Sequence, residues 1–210
     1  AQVDFAKVKD QPGIYAAPST YYNAHINYVK RNYAAALEGF EKLKDDPAFG
    51  KVVPYYIAQV QFLQGHYDAL LEYVQPLLSD PGSTKSQGDI NRLAGEAYFR
   101  TGQYKEALPY LEKSLQRTGV ERGDRYIAGY AYYKNEEYQK AITQFTAVVN
   151  NSADSLAQLS AYHMADCYLK MGNKNYARNA FKKAYDLGND PTVTEDALFN
   201  YAKLAYELSF

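Results

Sequence analysis

One phrase recurs five times in this chain of 210 residues, and its spacing restricts the fold more than any single residue does. Tyr33-x-x-Ala36-x-x-x-Phe40 is followed by Tyr67-x-x-Leu70-x-x-x-Val74 and Tyr104-x-x-Ala107-x-x-x-Leu111. Tyr138-x-x-Ala141-x-x-x-Phe145 and Lys174-x-x-Ala177-x-x-x-Phe181 complete the series. The steps between them are 34, 37, 34 and 36 residues. A unit of that length cannot bury its own apolar face and must stack on its neighbours, so such a period marks a solenoid. Solenoids present long surfaces, which points to binding before chemistry.

Each unit reads as two helices. The first has helical periodicity, as in Ala94-Gly95-x-Ala97-Tyr98-Phe99, and the second carries the recurring phrase. Breakers separate the units: Asp45-Asp46-Pro47, Ser79-Asp80-Pro81-Gly82 and Gly188-Asn189-Asp190-Pro191. Ser19, Asp89 and Asp154 are expected N-caps. Gly95 and Gly129 mark the closest helix approaches, with Ala24, Ala58, Ala165 and Ala202 in the same slot. Pro76 and Pro109 fall inside second helices and are expected to loosen them. The stretch from Gly82 to Gly88, rich in Ser, Gly and Lys, is expected to be the most mobile loop.

These residues resemble the tetratricopeptide repeat (TPR) family. The best-matching units carry Gly95, Tyr98, Gly102, Tyr104 and Ala107, then Gly129, Tyr132, Tyr138, Ala141 and Phe145. Lys174, Leu70 and the absence of tryptophan depart from the family pattern without threatening it. The resemblance implies an all-α superhelix of helix-turn-helix repeats spanning the chain as a single array. Full repeats are expected at 18–49, 52–81, 88–120, 122–154 and 158–189. Phe5-Ala-Lys-Val-Lys-Asp-Gln-Pro12 parallels Phe40-Glu-Lys-Leu-Lys-Asp-Asp-Pro47, so residues 1–11 read as the tail of a preceding second helix. Residues 192–210 read as a first helix without its partner, ending in Glu207-Leu-Ser-Phe210 rather than in a polar cap. The expectation is a fragment of a larger bacterial TPR protein.

In a TPR array the first helices line the concave wall, and residues at i, i+4 and i+7 share that face. The stripe runs Tyr21, His25, Tyr28; Tyr55, Gln59, Phe62; Arg92, Glu96, Phe99; Tyr126, Tyr130, Tyr133; Tyr162, Asp166, Leu169; Phe199, Lys203, Tyr206. The third position is always large and apolar and reads as packing. The middle position varies freely and is where ligand choice can reside. Charge is uneven: Arg92, Arg100, Lys134, Lys170 and Lys203 stand in the later units against Glu96 and Asp166. The expected contact set is Tyr21, His25, Tyr55, Gln59, Arg92, Glu96, Arg100, Tyr126, Tyr130, Lys134, Tyr162, Asp166, Lys170 and Lys203. A wall of that composition suits an extended or helical protein segment with apolar anchors and some acidic character. The alternative is a spacer or self-association module within a larger envelope protein. The chaperone-tail clamp of some TPR proteins needs asparagines where His25 and Gln59 stand, so that ligand is not expected.

Little else in the chain suggests chemistry. His25, His66 and His163 have no companion at metal-ligand spacing, and the one cysteine, Cys167, occupies a core slot. No phosphate loop or nucleophile elbow is present. No catalytic residue, metal or cofactor is therefore assigned. A net charge of −1 gives no general attraction to nucleic acid, and no apolar run is long enough to span a bilayer. No signal peptide is visible at Ala1. With 23 tyrosines and a single cysteine, the chain resembles bacterial envelope-associated repeat proteins, though a cytoplasmic setting fits as well.

Overall fold

The computed structural model describes residues 2–11, 13–80 and 82–209. Ala1, Pro12 at the end of the segment that parallels Phe40–Pro47, the breaker residue Pro81 and the terminal Phe210 lie outside them. The chain divides into two compact units, Ala1–Thr101 and Gly102–Phe210. The first holds α1 (Gln2–Val8), α2 (Ala16–Val29), α3 (Tyr33–Glu41), α4 (Val53–Leu63), α5 (Tyr67–Ser79) and α6 (Gln87–Arg100). The second holds α7 (Tyr104–Ser114), α8 (Arg122–Lys134), α9 (Tyr138–Val149), α10 (Ser155–Lys170), α11 (Lys174–Leu187) and α12 (Pro191–Leu208). The described residues contain no strand. Within each unit every helix packs on the next, and α4 also meets α6, α8 meets α10 and α10 meets α12.

The turns inside four of the repeats close by the same backbone device. Asn32 N–H bonds to Asn27 C=O at 2.8 Å while Arg31 N–H bonds to Tyr28 C=O at 2.9 Å. Glu137 and Glu136 repeat this pair on Tyr132 and Tyr133, and Asn173 and Gly172 repeat it on Tyr168 and Leu169. This is a Schellman motif, which satisfies the last carbonyls of one helix and aims the chain into the next. It requires a left-handed residue. Gly65, Gly102 and Gly172 supply it at φ of 75°, 77° and 75°, whereas Arg31 and Glu136 are forced there at 60° and 64°.

Each unit has its own core. Ala24, Ala36, Phe40, Val53, Ile57 and Val60 are buried together in the first, and Ala161, Ala165, Ala177, Phe181 and Ala184 in the second. Close approach is reached differently at α2–α3 and at α8–α9. A Cβ on Gly129 would lie 2.9 Å from Phe145 Cε1 and 3.3 Å from Gln144 Cβ. In the first unit Ala24 occupies the Gly129 slot, and the space is made instead by Gly39, whose added Cβ would lie 2.7 Å from that of Ala24. Ala58 and Ala165 are fully buried as expected, but Ala202 is exposed.

Two local expectations need correction. Ser19 is a buried interior residue of α2, because the helix begins earlier, at Ala16, with Pro18 accommodated in its first turn. Asp89 sits inside the first turn of α6, where its charge faces the positive helix end, and Ser86 takes the cap position. The linker between Gly82 and Gly88 is anchored at several points. Ser83 Oγ donates to Leu77 C=O at 2.8 Å, Lys85 N–H donates to Lys51 C=O at 3.0 Å, Thr84 is buried, and α6 has begun by Gln87. Asp154 does cap α10, accepting from Ala157 N–H at 2.9 Å. Pro76 and Pro109 lie within continuous α5 and α7.

Candidate functional site

The first-helix stripe gathers into an aromatic cluster in each unit. In the first, α2 supplies Tyr21, His25 and Tyr28, and α4 supplies Tyr55 and Tyr56. Tyr56 stacks on Phe40 at 4.9 Å and receives the edges of His25 and Tyr28 at 5.5 and 5.7 Å. Tyr21 stacks on Phe49 at 4.8 Å, and its hydroxyl donates to that of Tyr56 at 3.4 Å. Burial raises the Tyr21 hydroxyl well above its ordinary pKa, and the Tyr56 hydroxyl beside it adds to that rise. Beyond Tyr56 lies a polar group. Arg92 on α6 pairs with Glu96 at 2.5 Å and reaches Gln59 Oε1 at 3.5 Å. Burial also raises the Tyr55 pKa, against the lowering effect of nearby Arg92. Arg100, at the end of α6, is exposed.

In the second unit α8 supplies Tyr126, Tyr130 and Tyr133, and α10 supplies Tyr162, His163 and Asp166. His163 stacks on Phe145 at 5.8 Å and meets Tyr130 edge-on at 5.1 Å. Tyr126 and Tyr133 stand 6.2 and 5.7 Å from it. Burial lowers the His163 pKa to about 4, with Asp166 raising it and Lys134 lowering it further. Tyr133 donates to Asp166 Oδ2 at 2.5 Å. Lys134 holds its ammonium over the rings of Tyr130 and Tyr104, at 5.5 and 5.9 Å. Tyr162 packs edge-on against Phe181 at 5.4 Å. Lys170 and Lys203 are exposed.

A family model described as "Anaphase-promoting complex, cyclosome, subunit 3" matches residues 77–148 and again 101–184, together just over half of the chain. The chain belongs to this family of tetratricopeptide repeat proteins. No curated protein matches it. Among solved structures, that of YrrB, described as a TPR protein with an unusual peptide-binding site, aligns with a TM-score of 0.78 at 19% identity, over 94% of this chain and 98% of that one. A structure of MamA aligns at 0.66 and 15% identity, covering 83% and 92%. MamA from Desulfovibrio magneticus RS-1 aligns at 0.64 and 17%, covering 81% and 94%. At these identities the fold is what is shared, an all-α superhelix of TPR helix pairs.

Reading the TPR stripe by its i, i+4, i+7 rule recovers Tyr21 and His25 in one cluster, Gln59, Arg92 and Glu96 in a second, and Tyr126 and Tyr130 in a third. It misses Tyr56 and undervalues His163, each one residue beyond a stripe position. Their signal was the aromatic dipeptides Tyr55-Tyr56 and Tyr162-His163. The third position is not packing alone, since Tyr133 binds Asp166 across two helices. It is half-buried from Tyr28 to Leu169, but Tyr206 on α12 is 69% exposed. Cys167 is fully buried, and burial pushes its thiol up to about 12, so it packs rather than reacts. Among the described residues no group of His, Cys, Asp or Glu could hold a metal ion, and no helix is long and apolar enough to cross a membrane.

Proposed function

We propose that this TPR protein is a non-catalytic interaction scaffold that binds a protein segment on the aromatic wall of its first helices. The contact residues are Tyr21, His25, Tyr55, Gln59, Arg92, Glu96 and Arg100 in the first unit. In the second they are Tyr126, Tyr130, Lys134, Tyr162, Asp166, Lys170 and Lys203. The observation that carries the reading is the half-buried ring cluster in each unit. Its Tyr and His side chains leave polar tips beside apolar faces, a surface that suits peptide anchors. The peptide-binding site attributed to YrrB supports the reading at the level of fold. The test is capture of partners from lysate of the source organism by wild type and by Tyr126→Ala/Tyr130→Ala/Lys134→Ala, with circular dichroism to show that the variant stays helical. Loss of the captured partner in the variant is expected, and full retention rejects the wall as the binding surface.

A second reading, self-association, is favoured by α12. Phe199 and Tyr206 there are 68% and 69% exposed, whereas their counterparts on the other first helices are half-buried. Sedimentation of the wild type against Phe199→Lys/Tyr206→Lys decides it. A wild type that remains monomeric across the concentration range removes this reading.

A further inference from the structure

We propose that the first unit carries a second docking surface, at the edge where its first helices end, and that this edge lies on an anionic lipid surface. Val29 and Leu63 would enter the headgroup layer, and Lys30, Arg31 and Arg100 would meet its charge. The edge goes beyond the wall reading above and shares only Arg100 with it. Val29 and Leu63 are the last residues of α2 and α4 and hold the same place one repeat apart. They are 67% and 44% exposed. The fold does not ask for an apolar side chain there, since the next places in the series hold Arg100, Lys134 and Lys170, all exposed. A valine and a leucine held in water at successive repeats therefore point to a partner outside the chain.

The cations beside them select the partner. Lys30 and Arg31 follow Val29 directly and are both exposed, and Arg100 continues the Val29–Leu63 series. The turn after α4 adds one carboxylate, Asp68 in the first turn of α5, where the positive helix end already answers it. In the second unit the turn after α8 has the opposite sign, with Glu136 in the place of Arg31 and Glu137 after it. Arg31 is the most telling of the cations. It occupies the left-handed position of its Schellman turn at φ 60°, where Gly65 and Gly102 serve the next two repeats. A side chain kept where glycine folds more easily points to a use other than folding. Apolar side chains projecting from helix ends between cations suit a bilayer, which accepts both at its headgroup boundary. An acidic protein surface would need an apolar cleft to match them.

The test is flotation of the protein with unilamellar vesicles of phosphatidylcholine alone and of phosphatidylcholine mixed with phosphatidylserine. Wild type is expected to bind the mixed vesicles at least about ten-fold more tightly at low salt, with the difference closing as salt rises. Arg31→Gly relieves the left-handed strain, so it should lose about five-fold in binding to the mixed vesicles while folding no less stably. Lys30→Glu/Arg31→Glu, which brings in the sign of the second unit's turn, should abolish the preference for phosphatidylserine. Val29→Ser/Leu63→Ser should weaken vesicle binding and leave binding to fluorescein-labelled poly-glutamate, read by fluorescence anisotropy, unchanged. Equal flotation with the two kinds of vesicle overturns the proposal, as does Lys30→Glu/Arg31→Glu floating like wild type. Vesicle binding that Val29→Ser/Leu63→Ser leaves intact also overturns it and assigns the edge to a soluble acidic partner. None of these variants alters the aromatic wall, so the lysate capture judges that reading separately.

Discussion

The ring cluster of the first unit and that of the second match in geometry and differ in which residue fills which place. Tyr21, His25, Tyr28, Phe40 and Tyr56 correspond in order to Tyr126, Tyr130, Tyr133, Phe145 and His163. Tyr21 and Phe40 stand 6.1 Å apart, and Tyr126 and Phe145 stand 6.0 Å apart. Tyr28 to Tyr56 and Tyr133 to His163 are both 5.7 Å. Histidine and tyrosine have changed places between two helices: the first cluster has His25 on the first helix and Tyr56 on the next, while the second has Tyr130 and His163. The fold thus fixes a ring at each position and leaves its polar tip free. That freedom separates the part of the wall that packs from the part that can select a ligand.

The shared ring at the centre of both clusters should be the least dispensable. Phe40 and Phe145 are fully buried, and truncating either to alanine removes a whole ring from a closed core. Each is expected to cost about 3–5 kcal/mol in denaturant unfolding. Because repeat stability is a sum of local terms, hydrogen exchange should rise first around α2–α4 for Phe40→Ala and around α8–α10 for Phe145→Ala. Exchange rising equally in both units would break the comparison by showing that the clusters do not report on their own units.

The exchanged histidine predicts a difference in acid. His163 is held neutral by burial, with a pKa of about 4, while in the unfolded chain it takes a proton near its ordinary value of 6.5. Below 6.5 the unfolded state binds more protons, so the stability due to neutral His163 is intact above that pH and is lost as pH falls toward 4. The loss reaches up to about 3 kcal/mol. His163→Tyr, which copies the first cluster, should flatten the difference in urea midpoint between pH 7 and pH 4.5. Tyr56→His should carry acid lability into the first unit. If wild type and His163→Tyr fall in parallel over that range, His163 is not the group responsible.

The close approach near each cluster gives a smaller, paired test. The first unit opens space with Gly39 against Ala24, and the second with Gly129 against Gln144 and Phe145. Gly39→Ala places a methyl 2.7 Å from the Ala24 Cβ and should cost about 1–3 kcal/mol by overpacking. Ala24→Gly removes the obstruction at a helix-propensity cost of about 1 kcal/mol. The double variant should then be more stable than the sum of the singles requires, and a double-mutant cycle measures that surplus. Additive effects would mean that the two units do not solve the same packing problem from opposite sides.

The repeat period made the helix pairs legible, because Ala36 and Phe40 and their counterparts mark a buried face that returns every 34 to 37 residues, and the residue types at those places made the TPR family legible. The site was legible by stripe, which finds Tyr21, His25, Tyr126 and Tyr130. It fails at Tyr56 and His163, since contact with Phe40 and Phe145 comes from a neighbouring helix and not from the periodicity of their own. Nor does spacing show that Arg92 is bonded to Glu96 and Gln59 while Lys134 lies over rings. That depends on side-chain reach across helices. Ser19 failed as a cap for a local reason: a proline tolerated in the first turn of α2 looks, in sequence, like a break.

The left-handed turn residues give the smallest expected effect and the sharpest internal control. The two repeats with the matching clusters are also the two in which the Schellman position holds a side chain, Arg31 at φ 60° and Glu136 at 64°, while Gly65, Gly102 and Gly172 fill it elsewhere. A left-handed non-glycine residue costs roughly 1–2 kcal/mol, partly offset by the greater entropy that glycine loses on folding. Arg31→Gly and Glu136→Gly should each therefore stabilise by about 0.5–1 kcal/mol, read as a rise in urea midpoint with unchanged slope. Gly65→Arg and Gly172→Glu should destabilise by a similar amount, since a Cβ at either glycine meets nothing within 4 Å and the cost is conformational alone. If Arg31→Gly or Glu136→Gly destabilises instead, the side chain makes a contact worth more than the strain. The resemblance between the two repeats would then extend from their rings to the turns beside them.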